Sequence, residues 1–156
     1  MSALLFDAIR SGNEEDVNKL LKENPDIINE TDSRGSTPLL LASYYGNVGI
    51  TQLLLAANPD VNAQDSSGNT ALMGVSFKGY TEIAELLIEA GADVNITNYN
   101  TSNALIYAVT FGQIEIVNLL LQYGVNLAQA DSGGQSALDH AKSRGLTQII
   151  KLLENQ

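Results

Sequence analysis

The chain contains no cysteine. That absence excludes a disulfide framework, a cysteine nucleophile and any thiolate metal site. Histidine occurs once, at His140, so a zinc or copper centre has no set of nitrogen and sulfur ligands to draw on. Positive charge is scarce as well: 8 Lys and Arg stand against 18 Asp and Glu, a formal net charge of −10. Binding a phosphate backbone rests on clustered cations. The basic residues here are scattered, so no nucleic-acid partner is expected. No apolar run approaches the roughly 20 residues of a membrane span. The opening MSALLFDAIRSGNEED has no basic segment ahead of an apolar one, so no signal peptide is expected. Together these absences predict a soluble, cytoplasmic chain with no membrane association.

What is present suffices for a packed core. The 156 residues are 44% apolar and 17% charged, which fits one folded domain rather than a disordered chain. The apolar residues recur at a long, fixed spacing. Glycines stand at 12, 46, 79, 112 and 145, a first gap of 34 and then three of 33. Leu5, Leu39, Leu72, Leu105 and Leu138 keep the same register, as do Leu20, Leu54, Leu87, Leu120 and Leu153. Ala8, Ala42, Ala108 and Ala141 share a column with Val75. The turn D-x-x-G returns as DSRG at 32, DSSG at 65 and DSGG at 131. The one-residue offset of the first unit is explained by NPDIIN standing where the second unit has NPDVN. A period of this size means a repeat architecture.

Within a unit the local signals are ordered. A tight turn comes first, then Thr37-Pro38 supplies an N-cap and a proline at the first helical position, with Thr70 as the equivalent cap. A short helix runs to the column glycine. A second helix follows, with apolar spacing at Ile83, Leu86 and Leu87, and closes at EAGADVN, where Gly91 suits a left-handed C-cap. Neither helix is long enough to stand alone. Each unit must bury its apolar faces on its neighbours, which predicts a stacked, nearly one-dimensional array.

The unit DxxGxTPLxxAxxxGxxxIxxLLLxxxxDVNA resembles the ankyrin repeat. Residues 32–64, 65–97 and 98–130 resemble it over their whole length, residues 1–31 from the first helix onward, and residues 131–156 until the chain stops in the second helix. The resemblance implies an all-α repeat solenoid of stacked helix-turn-helix units, with β-turn or hairpin fingers lining a concave face together with the first helices. It also implies one domain over residues 1–156. Departures are visible. The family's histidine after TPL is replaced by Leu40, Met73, Ile106 and Asp139, and Asn58 stands for the glycine of GAD. The third full unit opens NYNTSNAL without the turn glycine, which predicts a distorted finger. Gly74, inside a first helix, should cost roughly 1 kcal/mol relative to alanine. Tyr107, in the same column of the next unit, is expected to fill the space it leaves. At the ends, Asp16 and Lys19 replace the apolar pair of the inner second helices, and Glu154 replaces Leu55, Ile88 and Leu121. Such polar faces suit capping repeats, so five repeats are expected to form a complete, monomeric domain.

No catalytic constellation stands out. His140 sits in a helical column with Leu41, Gly74 and Tyr107, where packing or a local hydrogen bond is the expected role. Glu82, Glu85 and Glu89 read as a solvated helix face. No nucleophile elbow, P-loop or G-x-G-x-x-G occurs. No enzyme activity, metal or cofactor is expected. Recognition by the surface remains. The resemblance places contact residues beside the turns and at the ends of the first helices. Carried over by column, these are Arg34, Tyr44, Tyr45, Phe77, Lys78, Tyr99, Thr110, Phe111 and Arg144. Five of the nine aromatic residues fall at such positions, and exposed aromatic clusters anchor interfaces. The expected function is protein–protein interaction through the concave face. A dedicated inhibitor or antitoxin-like binder of one enzyme is the first alternative, and an enzyme with a carboxylate site is the second. The resemblance further implies that Asn62 and Asn95 match a position hydroxylated in some members; a role in tying one unit to the next is the expected reason for them.

Overall fold

Each unit after the first opens on a turn closed by the side chain at its head. In the computed structural model, which describes residues 2–156, Asp32 Oδ1 accepts the amide hydrogens of Arg34 and Ser36 at 2.9 and 3.0 Å. The Ser36 carbonyl accepts from the Asp32 amide at 3.0 Å. Asp65 holds Ser67 and Asn69 in the same way at 2.8 and 3.0 Å, and Asp131 holds Gly133 and Gln135 at 3.0 Å each. A carboxylate one bond from Cβ reaches these amides without straining the chain, which is why aspartate heads such turns. The finger at 98–102, expected to be distorted, is not. Asn98 Oδ1 accepts from Asn100 and Ser102 at 2.9 and 3.0 Å, because the amide oxygen of asparagine stands where the aspartate oxygen would. Thr101 takes the left-handed φ of 56° that glycine takes in the other fingers. That conformation costs an L-residue about 1–2 kcal/mol. The bond from Thr101 Oγ1 to the Ala130 carbonyl, 3.1 Å, offsets part of it. The fingers are turns rather than stranded hairpins: one isolated bridge, Ala130 with Ser136, is the only β pairing among the described residues.

The first helices of the five units are α1 (Ser2–Ser11), α3 (Pro38–Tyr44), α5 (Ala71–Lys78), α7 (Ala104–Thr110) and α9 (Ala137–Ser143). Thr37 and Thr70 cap α3 and α5, each hydroxyl accepting an amide hydrogen three residues on at 3.2 Å. Asn103 caps α7, and Ser136 with Asp139 forms a reciprocal capping box on α9. The second helices are α2 (Glu14–Glu23), α4 (Val48–Ala56), α6 (Thr81–Glu89), α8 (Ile114–Gln122) and α10 (Thr147–Glu154). The turn between the helices of a unit needs glycine. Gly46, Gly79 and Gly112 have φ of 73°, 82° and 68°, and a Cβ on Gly46 would come within 2.8 Å of the Tyr80 ring. Asn58 fills its glycine's place at φ 54°.

Helices of 7 to 10 residues are stabilised by what they pack on. The first helices stack side by side as one layer, and the second helices stack behind them as another. Leu39, Leu72 and Leu105 lie between the layers, as do Leu54, Leu87 and Leu120 in the rear layer, all at most 2% exposed. Each such leucine contributes about 1.5–3 kcal/mol. The extra isoleucine of the first unit is absorbed in a 3₁₀ turn, Pro25–Asn29, with Ile27 and Ile28 both buried. A ladder of asparagines joins successive units. Asn29 Oδ1 accepts from the Asp60 amide at 2.8 Å, Asn62 from Asp93 at 2.8 Å, and Asn95 from Asn126 at 2.6 Å, each 31 residues ahead. The outward face of α2 carries Asp16 and Lys19 in solvent.

Gly74 is not compensated by Tyr107. The nearest atom to a Cβ built there is Tyr44 Cδ2, 3.5 Å away in the preceding unit, and Tyr107 comes nowhere within 4 Å. The Tyr107 ring is drawn off toward the fingers, where its hydroxyl accepts from Asn98 Nδ2 of its own finger at 2.9 Å and donates to Asn69 Oδ1 of the preceding one at 3.2 Å. A methyl group fits at Gly74 at ordinary contact distance. Gly74→Ala is therefore expected to stabilise the fold by about 0.5–1 kcal/mol, since helical glycine carries that entropic cost. A thermal melt checks this; a lower midpoint for the alanine variant would contradict it.

Candidate functional site

The ends of the first helices bring three rings together from three consecutive units. Tyr44, Phe77 and Phe111 come from α3, α5 and the C-cap of α7. Tyr44 and Phe77 lie nearly parallel, with centroids 6.5 Å apart and planes at 17°. Phe77 meets Phe111 edge to face at 4.4 Å. Lys78 Nζ stands 4.7 Å from the centroid of Tyr44, a cation–π pair at the surface. Tyr44 and Phe111 remain 43% and 47% exposed while Phe77 is half-buried between them, so the row is open along its outer edge.

The other sequence-derived positions are placed differently. Tyr45 caps α3 and is exposed, outside the row. Tyr99 sits on the next finger with its ring against Gly68. Thr110 turns inward and donates its hydroxyl to the Ile106 carbonyl at 2.6 Å. Arg144 is exposed on the last unit, and Arg34 is exposed on the first finger. Beside the row, the inner sides of the first two fingers and of α3 and α5 enclose a groove of about 930 Å³. Arg34, Tyr44, Tyr45 and Phe77 line it, together with Arg10, Asp32, Asp65, Gly74 and Tyr107, which column position alone did not single out as a group. A usable signal exists in hindsight: Tyr107 lies nine residues after Asn98, and His140 nine after Asp131, and each pair is in contact.

The polar chemistry of these pairs is settled locally. Burial raises the Tyr107 phenol above its ordinary value, which keeps it a hydrogen-bond donor. His140 Nε2 lies 2.7 Å from Asp131 Oδ2, so the lone histidine braces its own finger. The amide hydrogen of Gln135, and secondarily His140, hold the Asp131 carboxyl below its ordinary value. Asp139, bonded by Ser136, is lowered as well. A depressed carboxyl contributes stability above its unfolded value of about 3.9 and loses it as pH falls through the lower folded value. The melting temperature of the chain should therefore drop on acidification below about pH 4. Asp131→Asn should flatten that dependence in part, since asparagine keeps the turn at Asn98. An unchanged pH profile in the variant would contradict the assignment.

Among the described residues, no group of three or more His, Asp or Glu is placed to hold a metal ion, and no helix is long and apolar enough to cross a membrane. A comparison with curated proteins returned no match. A family model described as ankyrin repeats in three copies matches residues 5–98, and one described as ankyrin repeats in many copies matches residues 77–141. The matched segments run from within α1 to within α9, the same helices that the 33-residue columns and the finger turns organise into stacked units. The chain belongs to the ankyrin repeat family.

Proposed function

We propose that this protein is a non-catalytic adaptor that binds a partner protein on the side formed by the fingers and the first helices of its middle repeats, and that it does so in the cytoplasm as a monomer. Ankyrin repeats are generic protein–protein interaction modules. What carries the finer reading is the row Tyr44, Phe77 and Phe111: three rings from three units, each paired with the next, at the open ends of the first helices. Large rings bury much area at low conformational cost, and such clusters supply the anchors of interfaces. Arg34, Lys78, Thr110 and Arg144 add hydrogen-bonding and charged groups around or beyond that row, and Tyr45 and Tyr99 extend the aromatic surface. A photo-crosslinking residue introduced at Phe111 tests the reading. It should give a discrete adduct with one protein, whereas the same residue at Glu85, exposed on the second-helix face, should not. Adducts from Glu85 alone would place the interface on the wrong side for this proposal.

A further inference from the structure

Only one end of each finger's head side chain is used by its turn, and what becomes of the other end differs along the array. In the first finger, Arg10 Nη2 of the preceding unit stands 3.8 Å from Asp32 Oδ2. In the third, Asn98 Nδ2 meets the Tyr107 hydroxyl at 2.9 Å. In the fourth, His140 Nε2 meets Asp131 Oδ2 at 2.7 Å. In the second finger, Asp65 Oδ1 takes the amides of Ser67 and Asn69, and no hydrogen bond or ion pair reaches Oδ2 among the described residues. The reason is in the sequence. The position nine residues after Asp65, where Tyr107 and His140 would supply a donor, is Gly74, and the position equivalent to Arg10 is the uncharged Tyr44. Asp65 and Gly74 both line the 930 Å³ groove.

We propose that this part of the groove is a subsite for an arginine side chain of the partner protein, with the guanidinium on Asp65 over Gly74 and against the neighbouring rings. The inference rests on the reading of this face as a protein-binding surface. Its chemistry has two precedents within the chain. Arg10 lies against the equivalent carboxylate of the first finger, and Lys78 lies over Tyr44, one of the rings of the same groove. Arg34 lines the groove yet makes no ion pair with Asp65, so that carboxylate is left without a cationic partner among the described residues. A planar guanidinium suits this site better than an ammonium group. It stacks on aromatic faces, is more weakly hydrated, and presents several donors in a fixed fork. The chain's net charge of −10 attracts a cationic segment from a distance.

The test is a titration of the ¹⁵N-labelled full chain with N-acetylarginine amide, followed by amide chemical shifts. Saturable shifts are expected at Ser67, Asn69 and Gly74. They should be at least tenfold weaker with N-acetylcitrulline amide, which has the same shape and no charge. Asp65→Asn should weaken arginine binding at least tenfold while keeping the turn, as Asn98 does in the third finger. Gly74→His should block the site by supplying the donor that His140 supplies in the last unit. Shifts that do not saturate, or that are the same in Asp65→Asn, would overturn the proposal. So would free arginine binding tenfold more tightly than the capped form, which would mark a small-molecule site. The two readings fail separately. A partner captured at Phe111 whose affinity is unmoved by Asp65→Asn would sink the arginine subsite and leave the protein-binding face intact.

Discussion

Leu87→Ala is expected to lower the unfolding free energy by about 2–5 kcal/mol, the range for truncating a buried leucine. Leu87 is fully buried on α6, in the rear layer between α4 and α8. Its column neighbours Leu54 and Leu120 are buried to the same degree, so a cavity there faces two unit–unit contacts at once. In a nearly one-dimensional array, stability is a sum of unit terms and neighbour terms. Damage at the middle unit therefore weakens both couplings, and the two halves of the chain should begin to unfold separately. Urea denaturation followed by circular dichroism reads both effects, as a lower midpoint and a broader transition. Glu85→Ala, two residues earlier and exposed, should stay within about 0.5 kcal/mol. A loss below about 1 kcal/mol at Leu87 would mean that the rear layer does not carry the stack.

Phe111→Ala should weaken binding to the crosslinked partner by about 1–4 kcal/mol, the span of anchor truncations at interfaces. That corresponds to a factor between about five and about a thousand in Kd. Phe111 is 47% exposed and its closest aromatic contact is the edge-to-face pair with Phe77, so its removal should cost the fold less than Leu87→Ala does. The contrast between the two variants separates recognition from packing. Calorimetric titration of the partner into each variant gives the affinity, and a melt gives the stability. If Phe111→Ala leaves the affinity unchanged while Glu82→Ala and Glu85→Ala abolish it, the rings serve only packing.

The helix pairs were legible because burial and period coincide: Leu72, Leu87, Leu105 and Leu120 recur at the same places for the same reason. The caps at Thr37 and Thr70 were legible too, since a hydroxyl before a helix has few other uses. The finger at 98–102 was not legible because the absent turn glycine is plain in the sequence, while the equivalence of Asn98 to an aspartate lies in the placement of one oxygen. Oδ1 of Asn98 makes the same two bonds as Oδ1 of aspartate, and that is what the turn requires. The pairing of Gly74 with Tyr107 failed for a different reason. Positions of one column in consecutive units share a face, but a hydroxyl goes where it finds partners, and Tyr107 found them in the fingers. At the candidate site, column position named the rings without saying which would touch. Tyr44 and Tyr45 are neighbours in sequence, yet a helix turns about 100° between them, so one joins Phe77 and the other stands apart.

The asparagine ladder has a consequence for how the chain can change length. Every rung joins an oxygen of one unit to an amide of the next at the same separation of 31 residues. No rung reaches beyond its immediate neighbour. Duplication of residues 65–97 in place would therefore leave each rung oxygen facing an amide and each amide facing an oxygen, with no partner to be invented. The pair Asp65 and Gly74 would be copied with it, because both lie inside that one segment, and Phe77 of the first copy would stand beside the second pair where Tyr44 stands beside the first. Growth of the gene by whole units would then multiply the proposed arginine-binding carboxylate in the same event that lengthens the scaffold.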